Sequence, residues 1–126
     1  MAPMSMGSET TASSASTAPT PSGPLRCAVT PDASPSATIG VTSDSLGFFS
    51  FGAPATIKAG QAVAFTNGIG TRHTVTEGTY GQAAANACVD VSLPTHSTVI
   101  VTFYQPSTYQ ITCRPHKVMQ TSVTVQ

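Results

Sequence analysis

Charge is the scarcest property of this sequence: Asp, Glu, Lys and Arg make up 8% of its 126 residues, and the formal net charge is zero. A protein that binds a polyanion displaces counterions with clustered Lys and Arg. The five basic residues here are spread from Arg26 to Lys117, so no nucleic-acid partner is expected. Long apolar runs are lacking as well, and no stretch approaches the roughly 20 residues that span a bilayer as a helix. Histidine is limited to three residues, too few to build two separate imidazole-rich metal centres. At this length the chain holds one domain at most.

Thr, Val, Ser and Ala are abundant, and that composition favours strands over helices. The first part of the chain differs. Residues 1–25, "MAPMSMGSETTASSASTAPTPSGPL", are rich in Ser, Thr, Ala and Pro and have no apolar period. Such a segment cannot bury enough surface to offset the entropy of ordering, so a flexible tail or linker is expected, with the folded domain over residues 26–126. It has neither the basic start nor the apolar middle of a signal peptide, so an export signal is expected to lie outside this sequence. Tails of this composition often tether exported domains to a membrane. Met1, Met4 and Met6 are taken as incidental rather than as a soft-metal cluster.

From residue 36 the pattern has period two, punctuated by Gly, Pro, Asn and Asp. It predicts strands over Ala37–Thr42, Phe48–Phe51, Ala55–Lys58, Ala62–Asn67, Arg72–Glu77, Ser97–Tyr104, Thr108–Cys113 and Met119–Val125. About eight short strands in an all-β chain point to a Greek-key β-sandwich or a small barrel. "KAGQ" at Lys58–Gln61 and "NGIG" at Asn67–Gly70 provide turn chemistry. Gly78–Pro94 shows no strand alternation and is expected to hold a helical turn or the long crossover that Greek keys require.

The densest chemistry lies in "YQITCRPHKVMQ", residues 109–120, where a cysteine, a histidine and the only methionine outside the tail fall within seven positions. Residues two apart on a strand share a face, so Cys113 points inward with Tyr109 and Ile111. The same parity sets Met119 with Val123 and Val125, and His73 with Val75. One thiolate, imidazole and a thioether match the His₂Cys site with weak axial Met that holds copper, whereas structural zinc prefers several thiolates. A second histidine must come from elsewhere. His73, on a strand that opens after a Gly-rich turn, and His96, at the start of "HSTVIVTF", are the two candidates. Tyr80, Tyr104 and Tyr109 are read as packing residues, because no stacking motif surrounds them.

"IKAGQAVAFTNGIGTRHTVTEG" followed by "STYQITCRPHKVM" resembles, in order and spacing, the two blocks of the cupredoxins, the small blue copper proteins of the plastocyanin, pseudoazurin and amicyanin kind. The resemblance covers roughly residues 46–126, and the loop Cys-x-Pro-His-x-x-Met has the short amicyanin-like length. It implies an eight-stranded Greek-key sandwich holding one copper ion, with His73, Cys113 and His116 as equatorial ligands and Met119 as the axial one. It also implies one-electron exchange through the exposed edge of His116. Thr74 stands where plastocyanin and amicyanin have Asn, and its hydroxyl is the group left to bond across to the Cys113 loop. Pro115 lacks an N–H, which removes one hydrogen bond to the Cys113 sulfur and should lower the potential.

Cys27 and Cys88 remain, and two leftover cysteines in an exported domain normally pair. An electron shuttle is therefore the leading expectation. An enzyme is not expected, because Thr112 and Arg114, rather than histidines, flank Cys113. A copper carrier or storage protein is the alternative, although carriers favour exposed, exchangeable donors. The expected partners are protein donors and acceptors of electrons, met by a monomer in the periplasm or another extracytoplasmic space. Arg72, Arg114 and Lys117 are expected to rim the copper end and to favour an acidic partner.

Overall fold

The computed structural model describes residues 25–126. The tail expected over residues 1–25 lies, Leu25 apart, outside the described residues. Among the described residues the chain forms eleven strands and no helix. In chain order they are β1 (Cys27–Val29), β2 (Pro35–Ser43), β3 (Phe49–Phe51), β4 (Ala55–Ile57), β5 (Ala62–Asn67), β6 (His73–Thr79), β7 (Gln82–Ala83), β8 (Asp90–Leu93), β9 (Ser97–Phe103), β10 (Ser107–Thr112) and β11 (Gln120–Val125).

Two mixed sheets face each other, one in the order β1-β9-β5-β2-β3 and the other in the order β4-β11-β10-β6-β7, with β8 also on β6. This is the expected sandwich. Alternation decides which residues fill it: Ile39, Val63, Phe65, Val101 and Phe103 come from the first sheet, and Val75, Tyr109, Ile111 and Val123 from the second, all at 0–1% exposure. Each such side chain contributes about 1.5–3 kcal/mol by leaving water. Phe103 and Tyr109 join the layers, with ring centroids 4.8 Å apart. The Tyr109 hydroxyl donates to the carbonyls of Gln105 and Arg26. Its polar tip therefore costs the core no unpaired group.

Of the two expectations for Gly78–Pro94, the long crossover holds, since the segment takes the chain from β6 in one sheet to β9 in the other, and the helical turn is corrected. Rather than a helical turn, the segment carries β7 and β8, and β8 pairs with the first half of β6 from His73↔Leu93 to Thr76↔Asp90. Period two is present over "DVSL", which sets Val91 and Leu93 on one face, and Leu93 reaches 0% exposure while Asp90 faces out. β1 was likewise not among the expected strands. Cys27 bonds to Cys88 with the Cα atoms 5.3 Å apart, and this disulfide holds β1 and the 78–94 segment together as expected.

Candidate metal centre

Antiparallel pairing builds one end of the second sheet. β10 runs against β6 with Thr112 opposite Thr76, and against β11 with Thr112 opposite Gln120. The start of β6, the end of β10 and the start of β11 therefore meet, which brings His73, Cys113 and Met119 to the same place with His116 on the loop between the last two. All three of these strand-end residues are at most 1% exposed, and His116 is half-buried. The inward parity read from the sequence holds for each.

The donors converge. The Nδ1 atoms of His73 and His116 stand 3.1 Å apart. Cys113 Sγ lies 3.7 Å from the first and 3.6 Å from the second. Donor atoms of His73, Cys113 and His116 all fall within 4.8 Å of one another. His96 is not among them. It is exposed at the turn between β8 and β9 with a φ of 56°, so the alternative second histidine is removed by position.

Burial pushes the pKa of His73 down, and the neighbouring His116 lowers it further. Both effects favour the neutral imidazole, the state in which its nitrogen can bind a metal. His73 Nε2 is buried with no hydrogen-bond partner among the described residues. The ring is held instead by the edge of Phe49, 5.0 Å away between centroids, and the same phenyl packs 4.7 Å from His116. A buried polar ring normally finds partners on both nitrogens. Here its polar contacts all run through Nδ1, which faces the donor cluster. The residues present fit a soft or borderline metal ion of the copper type.

Residues 37–126 match the family described as "Copper binding proteins, plastocyanin/azurin family". The chain belongs to that family. No curated protein matches it. Among solved structures, amicyanin from Paracoccus versutus (Thiobacillus versutus) has a TM-score of 0.60 at 22% identity, covering 80% of this chain and 98% of its own. A purple cupredoxin from Nitrosopumilus maritimus has a TM-score of 0.59 at 21% identity, covering 71% of this chain and 99% of its own. These likenesses show a shared cupredoxin fold. Copper is accordingly the cofactor, and the single His–Cys–His group among the described residues provides for one ion.

Several groups brace the loop from Cys113 to Met119 in this cupredoxin. The backbone N–H of Arg114 donates to Thr74 Oγ1 at 3.0 Å, so the threonine does tie the cysteine loop to the strand that carries His73. Thr112 Oγ1 donates to the carbonyl of Met119 and accepts from the N–H of Gly81. Tyr80 and Gly81 both have positive φ, 53° and 79°, as the tight turn between β6 and β7 demands. A Cβ on Gly81 would stand 2.6 Å from the Cβ of Lys117, so only glycine lets this turn lean on the loop. On the other side Asn67 donates to the carbonyls of Thr71 and Leu93 and fixes the chain entering His73.

The basic rim is smaller than the sequence implies. Arg114 is ion-paired with Asp90, and its guanidinium holds that carboxyl below the usual carboxylate range. Lys117 lies over the ring of Tyr80, 5.5 Å from its centroid, and Arg72 is exposed. Phe49, Asp90 and Gly81 were not singled out from the sequence. Glycine after an aromatic residue between two strands was the one usable signal, and it points to Gly81.

Proposed function

We propose that His73, Cys113 and His116 bind copper equatorially with Met119 as a weak axial ligand, forming a type 1 centre that relays single electrons between proteins. The observation that carries this reading is the convergence of one thiol and two imidazole Nδ1 atoms in a closed group, with the cysteine and one histidine fully buried. Bound copper supplies the chemistry by changing between its two oxidation states. The chain supplies rigidity. Cys113 directly follows one paired strand, Met119 directly precedes another and His73 begins a third, so the donors have little freedom to follow a change in charge. His116 alone of the four is partly open to solvent, and its ring edge is the shortest route to a partner.

Burial supports a shuttle over a copper carrier, which needs donors within a partner's reach. No bond-making chemistry is assigned, so the protein is not an enzyme on this reading. The disulfide supports an oxidising, extracytoplasmic compartment. A monomer whose tail acts as a membrane tether completes the proposal. Arg72 and Lys117, with Pro115 and Val118 exposed on the same loop as Lys117, favour an acidic partner that docks briefly over His116. Rates with such a partner should fall as salt rises, and ionic-strength-independent rates would remove the acidic partner from the proposal.

The deciding experiment is titration of the apo protein with Cu(II). The expected result is an intense visible thiolate-to-copper band that saturates at one equivalent and bleaches reversibly on reduction. A chain that binds copper without that band, or that hands the ion to a chelator as fast as it exchanges electrons, would overturn the reading.

A further inference from the structure

We infer that Asp90, outside the ligand group, is a positioning residue for the cysteine loop and acts through a closed ring of hydrogen bonds. This rests on the ligand loop proposed above. The ring begins at the backbone N–H of Arg114, directly after Cys113, which donates to Thr74 Oγ1 at 3.0 Å. Thr74 Oγ1 and Thr76 Oγ1 are 2.9 Å apart. Thr76 Oγ1 donates to Asp90 Oδ1, also at 2.9 Å. The carboxylate then accepts from Nε of Arg114 at 2.9 Å and from its Nη2, which returns the ring to the residue where it began.

Proton inventory fixes the direction of every link. An ionised carboxylate only accepts, so Thr76 spends its single hydroxyl proton on Asp90. Its oxygen must accept from Thr74, whose own oxygen is thereby left to accept the Arg114 amide. Reversing any hydroxyl would set two protons or two lone pairs face to face. The chain is therefore polarised toward Asp90, and hydrogen bonds aligned in this way strengthen one another. Thr76 is 0% exposed, so water cannot readily replace the middle of the ring.

The Arg114–Asp90 contact alone would deserve little weight. Its side chains are 49% and 37% exposed, and exposed ion pairs contribute little. Its role is orientation. Asp90 pairs with Thr76 across β8 and β6, Thr74 lies one residue from His73, and Arg114 lies one from Cys113. The ring thus couples three segments and sets the Cys113 turn against the strand that carries His73.

The test uses the full apo chain and compares wild type with Asp90→Ala, Thr76→Val and Thr76→Ser by amide hydrogen exchange. Thr76→Val breaks the ring without changing charge, and Thr76→Ser keeps the hydroxyl. The expected result is about tenfold faster exchange at the Arg114 amide in Asp90→Ala and Thr76→Val, with wild-type rates in Thr76→Ser. The core amides of Tyr109 and Val123 should slow exchange as in the wild type. An Arg114 amide unaffected by either substitution, or core amides that accelerate equally, would overturn the inference. In the copper-loaded protein the reduction potential should shift in Thr76→Val and return in Thr76→Ser, and a potential unmoved by Thr76→Val would likewise overturn it. Failure to form the visible band in the wild type would instead sink the copper site, and the exchange rates would still decide the role of Asp90.

Discussion

Strand β6 carries a buried polar side chain near each end, and the two are treated oppositely. Glu77 is 7% exposed and fully engaged: its carboxylate accepts from both terminal nitrogens of Arg26 and from the backbone N–H of Cys88. Arg26 in turn donates to the carbonyl of Asn86 and lies 5.2 Å over the ring of Tyr109. The neighbouring disulfide closes the same joint. His73 is as deeply buried, yet one nitrogen has no partner and the other faces a thiol and a second imidazole. A saturated polar group serves architecture, because every atom that could act on something else is already used. A group of one thiol and two imidazole Nδ1 atoms that, among the described residues, make polar contacts only with one another marks the place where an ion completes the bonding. The unpartnered Nε2 of His73, which is not one of the converging atoms, is a separate cost to stability.

Substitutions at the two ends should separate colour from stability. The largest effect is expected for Cys113→Ser, which should lose the intense visible band entirely while the apo protein still shows a cooperative unfolding transition. A variant that kept the band would break the distinction at the metal end. At the other end, replacing Cys27 and Cys88 together by Ala opens a link across 61 residues of sequence. The chain-entropy account predicts a loss of about 4 kcal/mol in denaturant unfolding. The copper band should be unchanged.

Glu77→Leu is expected to cost less, about 2–3 kcal/mol, because Arg26 is left without its partner but keeps part of its side chain in solvent. Denaturant midpoints would measure it, and a spectrum altered as much as the stability would show that the two ends are coupled. Met119→Leu should have the smallest effect on both quantities. The axial thioether favours Cu(II) only weakly, so the colour should persist and the reduction potential should rise. Voltammetry that found a lower potential would argue against Met119 as the axial ligand.

The metal end was the more legible of the two in the sequence. Alternation along Tyr109, Ile111 and Cys113 sets the direction of the thiol before any fold is known, and the short Cys-x-Pro-His-x-x-Met spacing keeps its companions nearby. The structural end offered only two unassigned cysteines. Arg26 and Glu77 are separated by most of the chain's first half of strands, and nothing local to either announces the other. Three short strands were missed: β1 and β7 carry no pair of large apolar side chains to mark a period, as Phe49 and Phe51 do in β3, whereas β8 alternates through Val91 and Leu93 and was legible. They exist because longer neighbours offer unpaired backbone groups.

By itself the sequence determined an all-β fold of short strands, the inward parity of the donors and their chemical type, since each of these follows from period two and from side-chain identity; the choice of sandwich over barrel came with the family resemblance. The resemblance already favoured His73 over His96, and tertiary structure alone decided that Phe49 packs against both imidazoles and that Asp90 takes up the charge of Arg114. The physical reason is the range of the interactions. Strand periodicity and loop spacing act over a few neighbours along the chain, whereas contacts between strand ends depend on how antiparallel strands are paired, a property no single segment contains.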